Sequence, residues 1–244
     1  MTVTLTLATA RRILAQLRHD RRTVAMLVLV PSLLMVLLRF VFNNESLFSR
    51  IAPALLGVFP FLIMFLITSV TTLRERTTAT LERLMTLPIG KLDLLFGYAV
   101  AFGLVAVVQV VVALGVSITW LGLDVAGSLW MLLLIAVLDA VLGMALGLFV
   151  SAFAGSEFQA VQFMPVFVLP QVLLCGLFVP RGEMGWVLNW ISDVLPLSYA
   201  VEAITEVTRV PDVTATLTRD LVVVAACAVL ALILGAATLR RRTP

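Results

Sequence analysis

One acidic side chain, Asp139, sits near the middle of an apolar block of this 244-residue chain. A charge at such a depth in hydrocarbon costs about 2.5–3.5 kcal/mol or more, so an acid there is by default a functional candidate. Asp139 repeats at four-residue spacing with Gly143, Gly147, Ser151 and Gly155, which places all five on one ridge of a helix. Gly143 and Gly147 form a G-x-x-x-G, a spacing that lets a second helix approach closely. Two readings stay open. Asp139 lines a substrate path or binds a cation; alternatively it is protonated, or hydrogen-bonded within a tight packing face. Gln109, Gln162 and Gln171 lie in other apolar blocks and are weaker pathway candidates, since such amides more often join helices.

Hydrolytic chemistry finds no support in the residue types. A zinc protease needs clustered histidines and carboxylates, and the one histidine is His19. No G-x-S-x-G is present, nor any G-x-x-x-x-G-K-[ST] cradle for a nucleotide phosphate. Cys175 and Cys227 both fall inside apolar blocks and read as small packing residues, with neither disulfide nor metal spacing.

The elements that must position these groups are membrane spans. Hydrophobic residues make up 61% of the chain and charged residues 13%, about half the charge of an average soluble domain. The apolar residues cluster in blocks near the length that crosses a bilayer, about 20 residues. Six spans are expected, near 23–42, 51–73, 95–118, 129–153, 159–179 and 220–239. A single transmembrane domain over 1–244 results. Residues 3–22 precede the spans as an amphipathic helix. Leu7, Ala10, Ile13, Leu14 and Leu17 share one arc and Arg11, Arg12, Arg18 and Arg22 the opposite one, so residues 1–22 are expected to lie in the headgroup plane. No cleavable signal peptide is expected, because Asn43-Asn44-Glu45 follows the first apolar block in place of a small-residue cleavage site.

The net charge of +3 does not call for nucleic acid. With the N-terminus inside, twelve of the seventeen basic residues fall on the cytoplasmic side and five (Arg39, Arg50, Arg181, Arg209, Arg219) on the outer side. Both chain ends are then cytoplasmic. Trp120, Trp130, Trp186 and Trp190 fall near the outer interface. Two connections exceed simple turns. One is cytoplasmic, 74–94, RERTTATLERLMTLPIGKLDL. The other, 180–219, carries Trp186, Trp190 and Val194 on one helical face and is too short to span, which predicts a re-entrant or interfacial hairpin. Pro165 and Pro170 are expected to bend the fifth span.

Both connections carry a family likeness. Arg74-Glu75-Arg76, Thr80-Leu81-Glu82, Leu84 and Leu87-Pro88 match the loop after the second span of the type-2 ABC exporter permeases, with Ala79 where the family often has Gly. Gly176, Phe178-Val179-Pro180 and Pro196-Leu197-Ser198-Tyr199-Ala200 match a second signature after the fifth span. The chain resembles this family over nearly its whole length. The resemblance implies an all-α fold with a cytoplasmic coupling helix that docks on a separate ATPase through Glu75, Arg76, Glu82 and Arg83, with Leu81 and Leu84 as apolar anchors. Pro165, Pro170, Gly176, Pro180, Pro196 and Tyr199 are the gate and hairpin candidates. The chain itself is expected to hold no cofactor; ATP and Mg belong to the partner ATPase, two copies per complex. A second permease half, identical or related, would complete the assembly in a bacterial cytoplasmic membrane. The sparse charge favours an amphipathic or hydrophobic cargo (drug, antibiotic or lipid). Sodium or polysaccharide export, and a secondary transporter or channel subunit, are the alternatives.

Overall fold

The computed structural model describes residues 3–78 and 91–238. All regular structure among them is helical: α1 (Val3–His19), α2 (Arg21–Phe42), α3 (Glu45–Thr77), α4 (Lys91–Thr119), α5 (Leu129–Val150), α6 (Glu157–Phe163), α7 (Leu169–Leu174), α8 (Trp186–Val194), α9 (Pro196–Arg209) and α10 (Ala215–Ala237). A π turn, Met164–Val168, joins α6 to α7. Six stretches of the described residues are long and apolar enough to cross a membrane: Arg21–Phe42, Ser46–Thr77, Phe96–Thr119, Leu129–Val150, Glu157–Leu174 and Ala215–Ala237.

Polar residues between the spans set the breaks. Asp20 accepts from the Thr23 hydroxyl at 2.6 Å and the Thr23 N–H at 3.1 Å, which caps α2 and holds this carboxyl below its ordinary range. Arg21 and Arg22 therefore open α2 instead of closing α1. Asn43 ends α2 in the left-handed region at φ 44°, and Asn44 caps α3 through the Leu47 N–H at 3.2 Å. α3 runs unbroken through Pro53 and Pro60. It is longer than the expected 51–73 and carries Arg74, Glu75 and Arg76 as its last turn.

The centre of the bundle is the seam between α3 and α5. A Cβ on Gly143 would stand 2.3 Å from the Phe61 carbonyl oxygen, and one on Gly147 would stand 2.4 Å from that of Phe65. Only glycine lets the two backbones come so near. The G-x-x-x-G thus packs two helices of one chain, which run parallel with Gly57, Phe61 and Phe65 stepping beside Asp139, Gly143 and Gly147.

Two expectations shift. The buried face of α1 is Thr6, Thr9, Ala10, Ile13 and Leu17, packed on α4, whereas Leu7 is exposed. The threonines join the face because the helix meets protein there, so hydrophobicity alone misplaced its edge. The fifth span ends at Leu174, not 179. Pro170 has no N–H to donate, and the chain widens just before it into the π turn, where the Leu169 N–H reaches back to the Met164 oxygen. Gly176 then turns the chain at φ +94°.

The segment 180–219 folds into α8, α9 and the first residues of α10, so the last span starts at Ala215, before the expected 220. α8 leaves Trp186, Trp190 and Val194 exposed on one face, while α9 buries Leu197, Ala200, Val201, Ala203, Ile204 and Val207 against α3, α5 and α10. The last carbonyls of α9 are met by the α4–α5 connection: the Ala126 N–H donates to Thr208 O and the Gly127 N–H to Val207 O, at 3.1 and 3.0 Å.

Candidate functional site

The expected coupling residues divide at residue 78. Glu75 and Arg76 are helical and packed; Leu81, Glu82, Arg83 and Leu84 lie outside the described residues. Glu75 is engaged within the chain, because Arg12 of α1 donates to both its oxygens, at 3.2 and 3.3 Å. Arg76 reaches Thr238, just past α10, at 3.5 Å, and its Nε is buried without a partner. Arg74 forms a two-pronged pair with Glu157 at the start of α6, at 2.6 and 3.0 Å. This end of α3 therefore ties α1, α6 and α10 together. Sequence reasoning missed Arg12 and Glu157, since both partners are distant in the chain.

At the opposite end of the bundle the gate candidates meet a charge network. Arg181 pairs with Asp193 and with Glu202; Arg219 pairs with Asp220 at 2.7 Å and with Glu202 at 3.6 Å. Tyr199 lies between the two arginines, whose guanidinium carbons stand 5.0 and 5.7 Å from its ring centre. Its hydroxyl donates to the Asp193 carbonyl at 2.7 Å. Gly176 and Pro180 border a cavity of about 760 Å3 between the N-terminal part of α3, residues 175–183 and α9. Arg50, Arg209, Glu183 and Glu206 give it a charged rim. Pro196 supplies the first residue of α9, where a missing N–H costs nothing. Pro165 and Pro170 are exposed on the fifth span. Of the charge network itself sequence reasoning marked only Tyr199 as a site residue; a Pro-Leu-Ser-Tyr flanked by acids and arginines was the available signal.

The pathway candidates do not converge. Gln162 is exposed. Gln171 is a packing amide: its Nε2 donates to Phe167 O at 3.0 Å and its Oε1 accepts from the Leu197 N–H at 3.4 Å, which pins α7 to α9. Gln109 is buried in α4 with both amide atoms unpaired, and Asp139 is fully buried in α5 with neither carboxyl oxygen hydrogen-bonded.

The ABC-2 type transporter family matches residues 4–208, which takes in both ends and the seam between them. The chain belongs to the ABC-2 type transporter family. Similar curated proteins include ABC transporter G family member 20 of Dictyostelium discoideum, 25% identical over 164 residues. Two more are probable multidrug ABC transporter permeases of Escherichia coli strain K12. YbhR is 28% identical over 147 residues and YbhS 24% identical over 168. The matched regions cover 67%, 59% and 68% of this chain, and 22%, 40% and 45% of those proteins. This chain is thus a multi-pass membrane protein with an ABC-2 permease domain. The Glu75 end of α3 and the Tyr199 hairpin fall inside the matched region; α10, which closes the charge network through Arg219, falls beyond it.

Proposed function

We propose that this chain is the transmembrane permease of an ATP-driven ABC exporter that moves an amphipathic or hydrophobic molecule outward. The family match over residues 4–208, together with six apolar helices, carries the reading. ATP hydrolysis falls to a separate ATPase, two copies per complex, with ATP and Mg bound there. Residues 75–86 receive its motion in the cytoplasm. A second permease half, identical or related, pairs with this one in a bacterial inner membrane, with both termini cytoplasmic. The multidrug names of the Escherichia coli relatives support a drug-like cargo, as does the scarcity of charge along the spans.

Force transmission has a physical route. Because Arg74, Glu75 and Arg76 bind three other helices, a push on the segment that follows α3 acts on the whole bundle. The deciding experiment is ATPase stimulation of the purified complex in lipid across a panel of drugs, lipids and sodium, with outward transport in proteoliposomes. Stimulation by amphipathic compounds is expected. Absence of a co-purifying ATPase overturns the reading in favour of a secondary transporter; stimulation by sodium alone overturns the cargo class.

A further inference from the structure

We propose that Asp139 is a gated proton site, reached from the cavity at the hairpin end and sealed from it by α9. The Asp139 carboxyl is fully buried, and among the described residues no group hydrogen-bonds to either of its oxygens. An unpaired carboxylate in that setting is strongly disfavoured, so the neutral acid is the form that fits this closed arrangement.

Side chains of α9 stand beside it. Gly57 of α3 presents bare backbone to the acid: a Cβ there would stand 3.5 Å from Asp139 Oδ2, 3.5 Å from Val201 Cγ2 and 3.0 Å from Ile204 Cδ1. Val201 and Ile204 of α9 therefore meet Asp139 over the Gly57 backbone. Val201 also lines the 760 Å3 cavity, with Ala54, one turn before Gly57, and Cys175. A small outward shift of α9 joins acid and cavity.

Other charges do not serve the acid. α3 keeps its basic residues at its two ends; on α9 Glu202 is held by Arg181, and on α10 Asp220 is held by Arg219. α4 offers the neutral Gln109, and Asp139 is the only titratable residue of α5. A hard metal cation takes several oxygen ligands, and no cluster of three or more His, Cys, Asp or Glu that could hold one exists among the described residues. A proton needs neither space nor a ligand shell. In the ionised state the carboxylate requires water, and water requires α9 to move. Proton exchange is thereby tied to the Arg181–Tyr199–Arg219 network that holds α9. This site requires neither an ATPase nor any cargo, so it stands or falls apart from the export reading.

The test is infrared spectroscopy of the full chain in lipid nanodiscs. Wild type minus Asp139→Asn isolates the Asp139 carboxyl. Asp220→Asn controls for the other fully buried acid, and Asp139→Glu assigns the band by its displacement where Asp139→Asn does not assemble. A protonated-carboxyl band is expected at neutral pH in wild type and in Asp220→Asn. On mixing with heavy water its isotope shift should be slow, and roughly tenfold faster in Val201→Ala and Ile204→Ala, which thin the seal. An ionised carboxylate band at neutral pH, a band that responds to sodium at fixed pH, or equal exchange rates in wild type and both alanine variants would each overturn the proposal.

Discussion

Arg12 of the first helix grips Glu75 of the third with both guanidinium arms, 63 residues apart in sequence. The pair is largely shielded, with side chains 26% and 11% exposed, so it differs from an ordinary surface ion pair. It fixes the first helix to the C-terminal end of α3. Removing either partner strands the other. Glu75→Ala and Arg12→Ala should each cost about 1–3 kcal/mol, and the double variant should cost little more than either single one. Thermal unfolding in detergent reads this; fully additive losses would show that the pair contributes nothing.

Gly143 tests the central seam. Gly143→Ala drives a methyl group into the Phe61 carbonyl, which is backbone and cannot swing away. A loss of about 3 kcal/mol or more is expected, at or above the usual range for overpacking. Gly115→Ala, where nothing lies within 4 Å, should instead be neutral or gain about 0.5–1 kcal/mol from helix propensity. Equal melting temperatures for the two variants would contradict the seam.

At the hairpin end, Arg181→Ala breaks two ion pairs and one ring contact at once. The prediction is a looser α8–α9 hairpin, read as faster amide hydrogen exchange over residues 186–209, and a melting temperature that becomes less sensitive to salt. Tyr199→Phe removes only the hydroxyl bond to Asp193 O and should cost about 0.5–1.5 kcal/mol. Unchanged exchange in Arg181→Ala would mean that apolar packing of α9 alone holds the hairpin.

The coupling reading is tested at Glu82 and Arg83. Glu82→Lys and Arg83→Glu should insert normally yet lose ATPase co-purification, or keep it with hydrolysis uncoupled from transport, because charge reversal at an interface can cost several kcal/mol. Pull-down and transport on the same membranes decide. Wild-type behaviour of both variants in both assays would reduce the segment to a solvated connection.

Topology is open to labelling. Cysteines replacing Ser46 and Gly182 should react with an impermeant thiol reagent applied to intact cells, and those replacing Thr78 and Thr243 only after lysis. Labelling at Thr78 from outside would invert the arrangement.

The sequence by itself determined the solvent, the six apolar helices and the family, because each is written in local composition: block length, the scarcity of charge, and two motifs with their spacing intact. It also marked Gly143 and Gly147 as a close-packing ridge, since a four-residue repeat on a helix needs no partner to be visible. Only the tertiary structure decided what each marked residue meets. Glu75 reads as a free docking charge until α1 brings Arg12 to it, and Gln171 reads as an amide that joins helices, whose partner, the Leu197 N–H, only α9 supplies. Arg181, Glu202 and Arg219 are scattered in sequence and become a network only when the hairpin folds onto α10. Asp139 shows the same division: its depth in an apolar block was legible, but that it meets Gly57 of α3 beside Val201 and Ile204 of α9 depends on helices more than 60 residues away. Pairings of that kind follow from which faces of the bundle bury together, and no local pattern of residues encodes that choice.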